Sequence, residues 1–203
     1  MTGRRGRRNA TVVAKEYASQ QDLEDGDLMP LNYLEQLASE WYEFQGYFVR
    51  RNVRVGRRSR GGHEGELDIV GFRPASNDAG AALLHVETSM DADSWAQREA
   101  KFRKKFQVGE RYIRGLFEGL ALPDTVIEKV VILGFGSRVR HETIGGAKIL
   151  LLEDLLAEIL HKLKTLSWWS HSIPEGYPIL RTLQVVAAYG GRLAAVLAEG
   201  GKP

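Results

Sequence analysis

The chain contains no cysteine, so disulfides and thiolate metal sites are excluded. It has no apolar run approaching the about 20 residues needed to cross a bilayer. The opening Met-Thr-Gly-Arg-Arg-Gly-Arg-Arg has no apolar stretch behind it, unlike a secretory signal. There is no internal repeat and no low-complexity segment. A large excess of one charge is missing too, the formal net charge being +2. These absences predict a soluble, cytoplasmic protein without a membrane partner, and they turn attention from net charge to its distribution.

What is present is ordinary in bulk: 203 residues, 43% hydrophobic and 27% charged, enough for one well-buried domain with trimmings. Residues 1–28 read as a charged tail, with Arg4, Arg5, Arg7 and Arg8 followed by Asp22, Glu24, Asp25 and Asp27. Pro30 is expected to open a helix reaching about Gln45, with Leu34, Leu37, Ala38, Trp41 and Gln45 on one stripe and Gly46 as the stop. Glu35 falls on the shoulder of that stripe. Residues 47–55 read as a strand with Tyr47, Val49, Val53 and Val55 on one face. Arg50, Arg51, Arg54, Arg57, Arg58 and Arg60 make the densest positive patch in the chain, and phosphate is what such a patch attracts most strongly.

Two short apolar runs carry acids in their middles: Glu66-Leu67-Asp68-Ile69-Val70 and Leu84-His85-Val86-Glu87-Thr88-Ser89. A purely structural strand prefers branched apolar residues there. Alternation puts Glu66 and Asp68 on one face of the first strand, and His85, Glu87 and Ser89 on one face of the second. Acids facing each other across adjacent strands repel unless a positive charge lies between them. A divalent metal is the simplest candidate. His63 and His85 read as polar groups of loop and strand, since nothing spaced like a zinc site surrounds them.

Ser94 and Gln97 form a capping box, opening a helix to about Gly119. Its buried stripe is Phe102, Phe106, Ile113, Phe117 and Leu120, and its flanks carry Lys101, Lys104 and Lys105. Residues 129–135 and 148–152 read as further strands, 153–163 as a helix, and 179–197 as a last helix interrupted at Gly190-Gly191. Trp168-Trp169 reads as packing, and an exposed pair is suited to stacking on bases.

Helix, strand, strand, strand, helix, strand, with acids on the first helix and on the second and third strands, resembles the PD-(D/E)XK nuclease superfamily. The resemblance is to its restriction-endonuclease-like and Holliday-junction-resolvase-like branches, tRNA-endonuclease-like domains included. It covers residues 31–135 and continues to 165. It implies an α/β domain over 29–165, with a central mixed sheet flanked by helices (an αβββαβ core), and leaves 166–203 as a C-terminal helical extension. It also implies hydrolysis of phosphodiester bonds with Mg²⁺ or Mn²⁺ held by Asp68 and Glu87, with Glu35 and Ser89 completing the catalytic set and Glu66 an outer ligand. Arg50, Arg54, Arg57, Arg58, Arg60, Lys101, Lys104 and Lys105 are then the nucleic-acid-binding residues, with DNA favoured over RNA and a homodimer compatible with the family. One departure stands out: the family's motif lysine is Ser89 here, which brings no charge. In the family a basic group from the following helix sometimes substitutes, which points to Lys101, Lys104 or Lys105, with His85 on the same strand face. The alternative is a non-cleaving DNA- or RNA-binding module, and a third reading is a scaffold for protein contacts built on the C-terminal helices.

Overall fold

The computed structural model describes residues 32–77, 79–135 and 141–199, within one unit that begins at Asn32. The tail expected over 1–28, and Pro30, lie outside the described residues.

Helix α1 (Tyr33–Phe44) is capped by Asn32, whose side chain accepts a hydrogen bond from the Leu34 amide at 3.1 Å. An asparagine at this position satisfies an amide that the helix itself cannot. The helix therefore starts three residues later than Pro30 indicates. Leu34, Leu37, Ala38 and Trp41 are buried as their spacing predicts, whereas Gln45 is exposed at the C-cap. Gly46, at φ 89°, turns the chain into the sheet.

Three antiparallel strands follow, β1 (Phe48–Arg57), β2 (His63–Arg73) and β3 (Ala82–Ser89). Helix α2 (Trp95–Leu116) crosses over to β4 (Ile127–Leu133), which lies parallel to β3. Its capping box between Ser94 and Gln97 is formed. A short hairpin of β5 (Thr143–Ile144) and β6 (Ala147–Leu151) comes next, then α3 (Leu152–Lys164) and α4 (Pro178–Glu199). The result is a six-stranded mixed sheet in the order β1-β2-β3-β4-β6-β5. The α/β class and the mixed sheet expected from the sequence are present.

Helices α1, α3 and α4 cover one face, where Leu34, Leu37, Trp41, Leu155, Ile159 and Leu180 meet Ile69, Leu84, Val86 and Ile132. Helix α2 covers the other face. Its Phe102 and Phe106 meet Val131, Leu133 and Ile149, and its Val108 and Ile113 meet Val53, Val55, Leu67, Val70 and Leu83. A fully buried phenylalanine contributes roughly 2–3 kcal/mol. Covered on both sides, β3 is buried at every position from Ala82 to Ser89. Among the described residues, no helix is long and apolar enough to cross a membrane.

Several expectations are corrected. Helix α2 ends at Leu116, so Phe117 is buried just beyond it and Leu120 is exposed. Helix α4 runs through Gly190-Gly191 without a break. Strand β4 stops at Leu133 and leaves Phe135 exposed. Strand β5 is not among the expected elements. It is made by a Gly145-Gly146 turn with φ 58° and 81°, and a Cβ on Gly145 would lie 2.6 Å from the Arg103 amide nitrogen.

The largest correction concerns β1. Val49 packs on the α1 side, while Val53 and Val55 pack on the α2 side. Strict alternation puts all three on one face. Asn52 lies between them at φ 52°, a left-handed backbone that turns the strand over. Strand β2 turns at the same level: Ile69 faces α1, Leu67 faces α2, and Asp68 separates them.

Candidate active site

The β2–β3 ladder pairs Ile69 with Val86 and Val70 with His85. Ile69–Val86 is the last pair at this end; just beyond it the Asp68 side chain, rather than its backbone, meets β3 at Thr88, next to Glu87. Both carboxylates turn toward α2, where the Lys105 ammonium joins them. Lys105 Nζ donates to Asp68 Oδ1 at 2.7 Å and to Glu87 Oε2. Two acids from neighbouring strands thus converge on one cation, supplied by the helix that packs over them.

Each acid is held by its second oxygen. Asp68 Oδ2 accepts from the Thr88 amide at 2.8 Å and from Thr88 Oγ1 at 3.3 Å. Glu87 Oε1 lies 2.7 Å from His85 Nε2. The Glu87 side chain has no exposed surface, Asp68 has 12% and Lys105 has 28%, so the cluster meets solvent along the lysine. Burial raises the Glu87 pKa and outweighs the lowering by His85 and Lys105, with Asp68 adding to the rise. Burial also opposes the Lys105 charge, but Glu87 and Asp68 more than offset it and the pKa is raised.

Glu35 belongs to this electrostatic neighbourhood. Its carboxyl is raised by burial first and by Asp68 second, and lowered by Lys105, although it comes from α1. Asn32 Nδ2 donates to Glu35 Oε1 at 2.9 Å. Glu66, the expected outer ligand, is half-exposed and pairs with Arg54 at 3.6 Å across the β1–β2 ladder.

Ser89 is placed differently. Its hydroxyl donates to Asp91 Oδ2 at 3.0 Å and accepts from the Asp91 amide at 3.2 Å. Those bonds tie it, as the last residue of β3, to the turn that follows rather than to the carboxylates. Asp91 is also the partner of Lys101, at 2.6 Å. Lysines 101 and 105 are one helical turn apart on α2, so one meets the Ser89 turn and the other the acids. Lys104 is exposed. Arg50, Arg57, Arg58 and Arg60 are exposed on β1 and its hairpin loop, with Arg54 beside them on the Glu66 ion pair. Trp168 and Trp169 meet edge to face at 5.3 Å, and Trp169 projects into solvent.

Among the described residues, no group of three or more acids and histidines is arranged to hold a metal. The pair alone still suits magnesium, which takes one or two carboxylates and fills its remaining positions with water and substrate phosphate. One oxygen from each acid faces the point that Lys105 Nζ occupies.

Sequence reasoning puts His85 on the Glu87 face of its strand but not its bond to that acid, and it misses Arg98. His85 reads as a strand polar group, and it is fully buried against Glu87. Arg98, which reads only as part of a charged helix, donates to the backbone carbonyls of Phe135 (3.0 Å) and Asp91 and so ties together the loops after β4 and β3. The signal for His85 is its two-residue spacing from Glu87 on one strand face; Arg98 leaves none.

No known protein family's sequence pattern matches this chain, and neither does any curated protein.

Proposed function

We propose that this protein binds nucleic acid and hydrolyses its phosphodiester bonds at the Asp68–Glu87–Lys105 cluster, in the manner of restriction-endonuclease-like and Holliday-junction-resolvase-like enzymes. The observation that carries this reading is the convergence of two acids, from adjacent strands, on a single ammonium. Asp68 and Glu87 would hold Mg²⁺ or Mn²⁺, which when bound polarises a phosphoryl oxygen and makes a water easier to deprotonate. Lys105 takes the role of the motif lysine that Ser89 vacates. Its ammonium, kept charged by the two acids, is placed to bond a phosphate oxygen and to offset charge developing on it. Glu35, with its raised pKa, is a better proton acceptor than an ordinary carboxylate and is suited to receive a proton from water at its carboxyl oxygens. The arginines of β1 and its hairpin supply the attraction for the phosphate backbone.

Incubation with supercoiled, branched and single-stranded DNA, and with RNA, in Mg²⁺ or Mn²⁺ tests this directly. Cleavage is expected, and Asp68→Ala and Glu87→Ala should each abolish it while leaving binding intact. Cleavage that survives both substitutions would refute the assignment.

A second reading is favoured by one feature: the Lys105 ammonium already neutralises the point where a metal would be held. In that case the protein is a non-cleaving nucleic-acid-binding module of the same fold. Tight, salt-sensitive binding without cleavage under any of these conditions would establish it.

A further inference from the structure

Resting on that reading of the cluster, we infer that His85 is a positioning residue. Its Nε2–H fixes the rotation of the Glu87 carboxylate, so that Oε2 stays turned toward Asp68 and the cation held between them. The inference starts from what surrounds the ring. His85 is wholly buried, its Nε2 lies 2.7 Å from Glu87 Oε1, and its ring meets the Phe106 ring edge to face at 4.7 Å. The other nitrogen, Nδ1, is buried with no hydrogen-bond partner. In the metal-holding role Glu87 is ionised, so Oε1 accepts from the imidazole as Oε2 accepts from the Lys105 ammonium. A hydrogen on Nδ1 would be a buried donor without an acceptor, so Nε2 is the nitrogen placed to carry the hydrogen toward Glu87.

Helix α2 makes room for the ring. A Cβ on Gly109 would come within 2.3 Å of His85 Cε1 and Nδ1, and Gly109 sits in the body of a 22-residue helix. Glycine there weakens the helix relative to alanine. Leucine at position 85 would fill a similar volume without a stranded nitrogen. What only the imidazole provides is an N–H aimed at Glu87. Hydrogen bonds of this sort to metal-binding carboxylates orient the ligand, and their loss weakens metal binding about tenfold to a hundredfold.

The test compares full-length wild type with His85→Leu, His85→Gln and Gly109→Ala. Leucine removes the donor, glutamine offers an amide N–H near the same place, and alanine drives a methyl group into an intact ring. In metal-free protein the imidazole nitrogens and the Lys105 ammonium are followed by NMR; Mn²⁺ affinity is then measured by calorimetry, and thermal unfolding in EDTA reports stability. His85 should show hydrogen on Nε2 alone. The Lys105 ammonium signal should shift in His85→Leu and Gly109→Ala and be restored in His85→Gln. Mn²⁺ affinity should fall at least tenfold in the first two and return to within about threefold in the third, in protein that thermal unfolding in EDTA shows to be folded at the assay temperature.

A Lys105 signal indifferent to His85→Leu, or equal losses in the leucine and glutamine variants, would overturn the inference. Wild type that takes up no Mn²⁺, with the Lys105 signal still following the His85 variants, would remove the metal reading and leave His85 as the residue that orients Glu87 toward Lys105.

Discussion

At the scale of single residues, the cluster is held together by one ammonium. Removing Lys105 leaves Glu87, which has no exposed surface, beside Asp68 with no cation between them. Truncating one side of a buried ion pair costs about 3–5 kcal/mol, and the partial exposure of Lys105 places Lys105→Gln near about 3 kcal/mol in urea unfolding at neutral pH. The sign with pH follows from the raised Lys105 pKa. Its contribution is complete below the ordinary value of 10.5 and is lost as pH rises through the higher folded value. The stability gap between wild type and Lys105→Gln should therefore close at strongly alkaline pH. Glu87 has the opposite consequence: its raised pKa, caused by burial, means that the ionised form is held at a cost at neutral pH, which His85 and Lys105 offset only in part. In the sequence the two acids are legible because charges inside apolar strands are unusual. Which of three lysines reaches them is not. That choice depends on the rotation of α2 over the sheet, and Phe102 and Phe106 set it by burying their rings.

At the scale of elements, the β1–β2 hairpin runs past the end of β3. The last β2–β3 pair at this end is Ile69 with Val86, while β1 and β2 remain paired out to Arg57 and His63. Six residues at about 3.3 Å each carry the arm roughly 20 Å beyond that last pair, and β3 itself, which ends at Ser89, runs alongside only the first part. Helix α2 supports it through Val108 and Ile113 and through the Tyr112 hydroxyl, which donates to Glu64 at 2.6 Å. Arg57, Arg58 and Arg60 lie exposed at its end. If they neutralise phosphates, replacing all three with glutamine should lower the slope of log affinity against log salt by about 0.9 per arginine so engaged on duplex DNA. An unchanged slope would place the nucleic acid elsewhere. Helix and strand order are readable from periodicity and caps, Ser94–Gln97 above all. The reversal of face along β1 is not, because a single left-handed Asn52 breaks a pattern that counting by twos assumes.

At the scale of the whole molecule, the C-terminal helix is tied to the first one through a buried acid. Glu40 of α1 accepts from the Ile179 and Leu180 amides at 2.9 and 3.0 Å, capping α4 from a residue about 140 positions earlier. Along its own helix, Glu40 looks like one more surface charge, and nothing nearby in sequence marks it as buried. Glu40→Ala should cost about 2 kcal/mol through the stranded amides, and hydrogen exchange over residues 178–184 should quicken before the sheet is affected. Uniform exchange across the molecule would show that α4 does not depend on this cap. Asn52 has a consequence at this scale too. Strand β1 is an outer member of the sheet, and its backbone reverses at Asn52 and again takes a left-handed turn at Gly56. The rim therefore offers no continuous row of amides for another chain to extend. A branched residue at position 52 that straightened the strand would expose such a row, and fibril-like stacking of whole molecules would be the price.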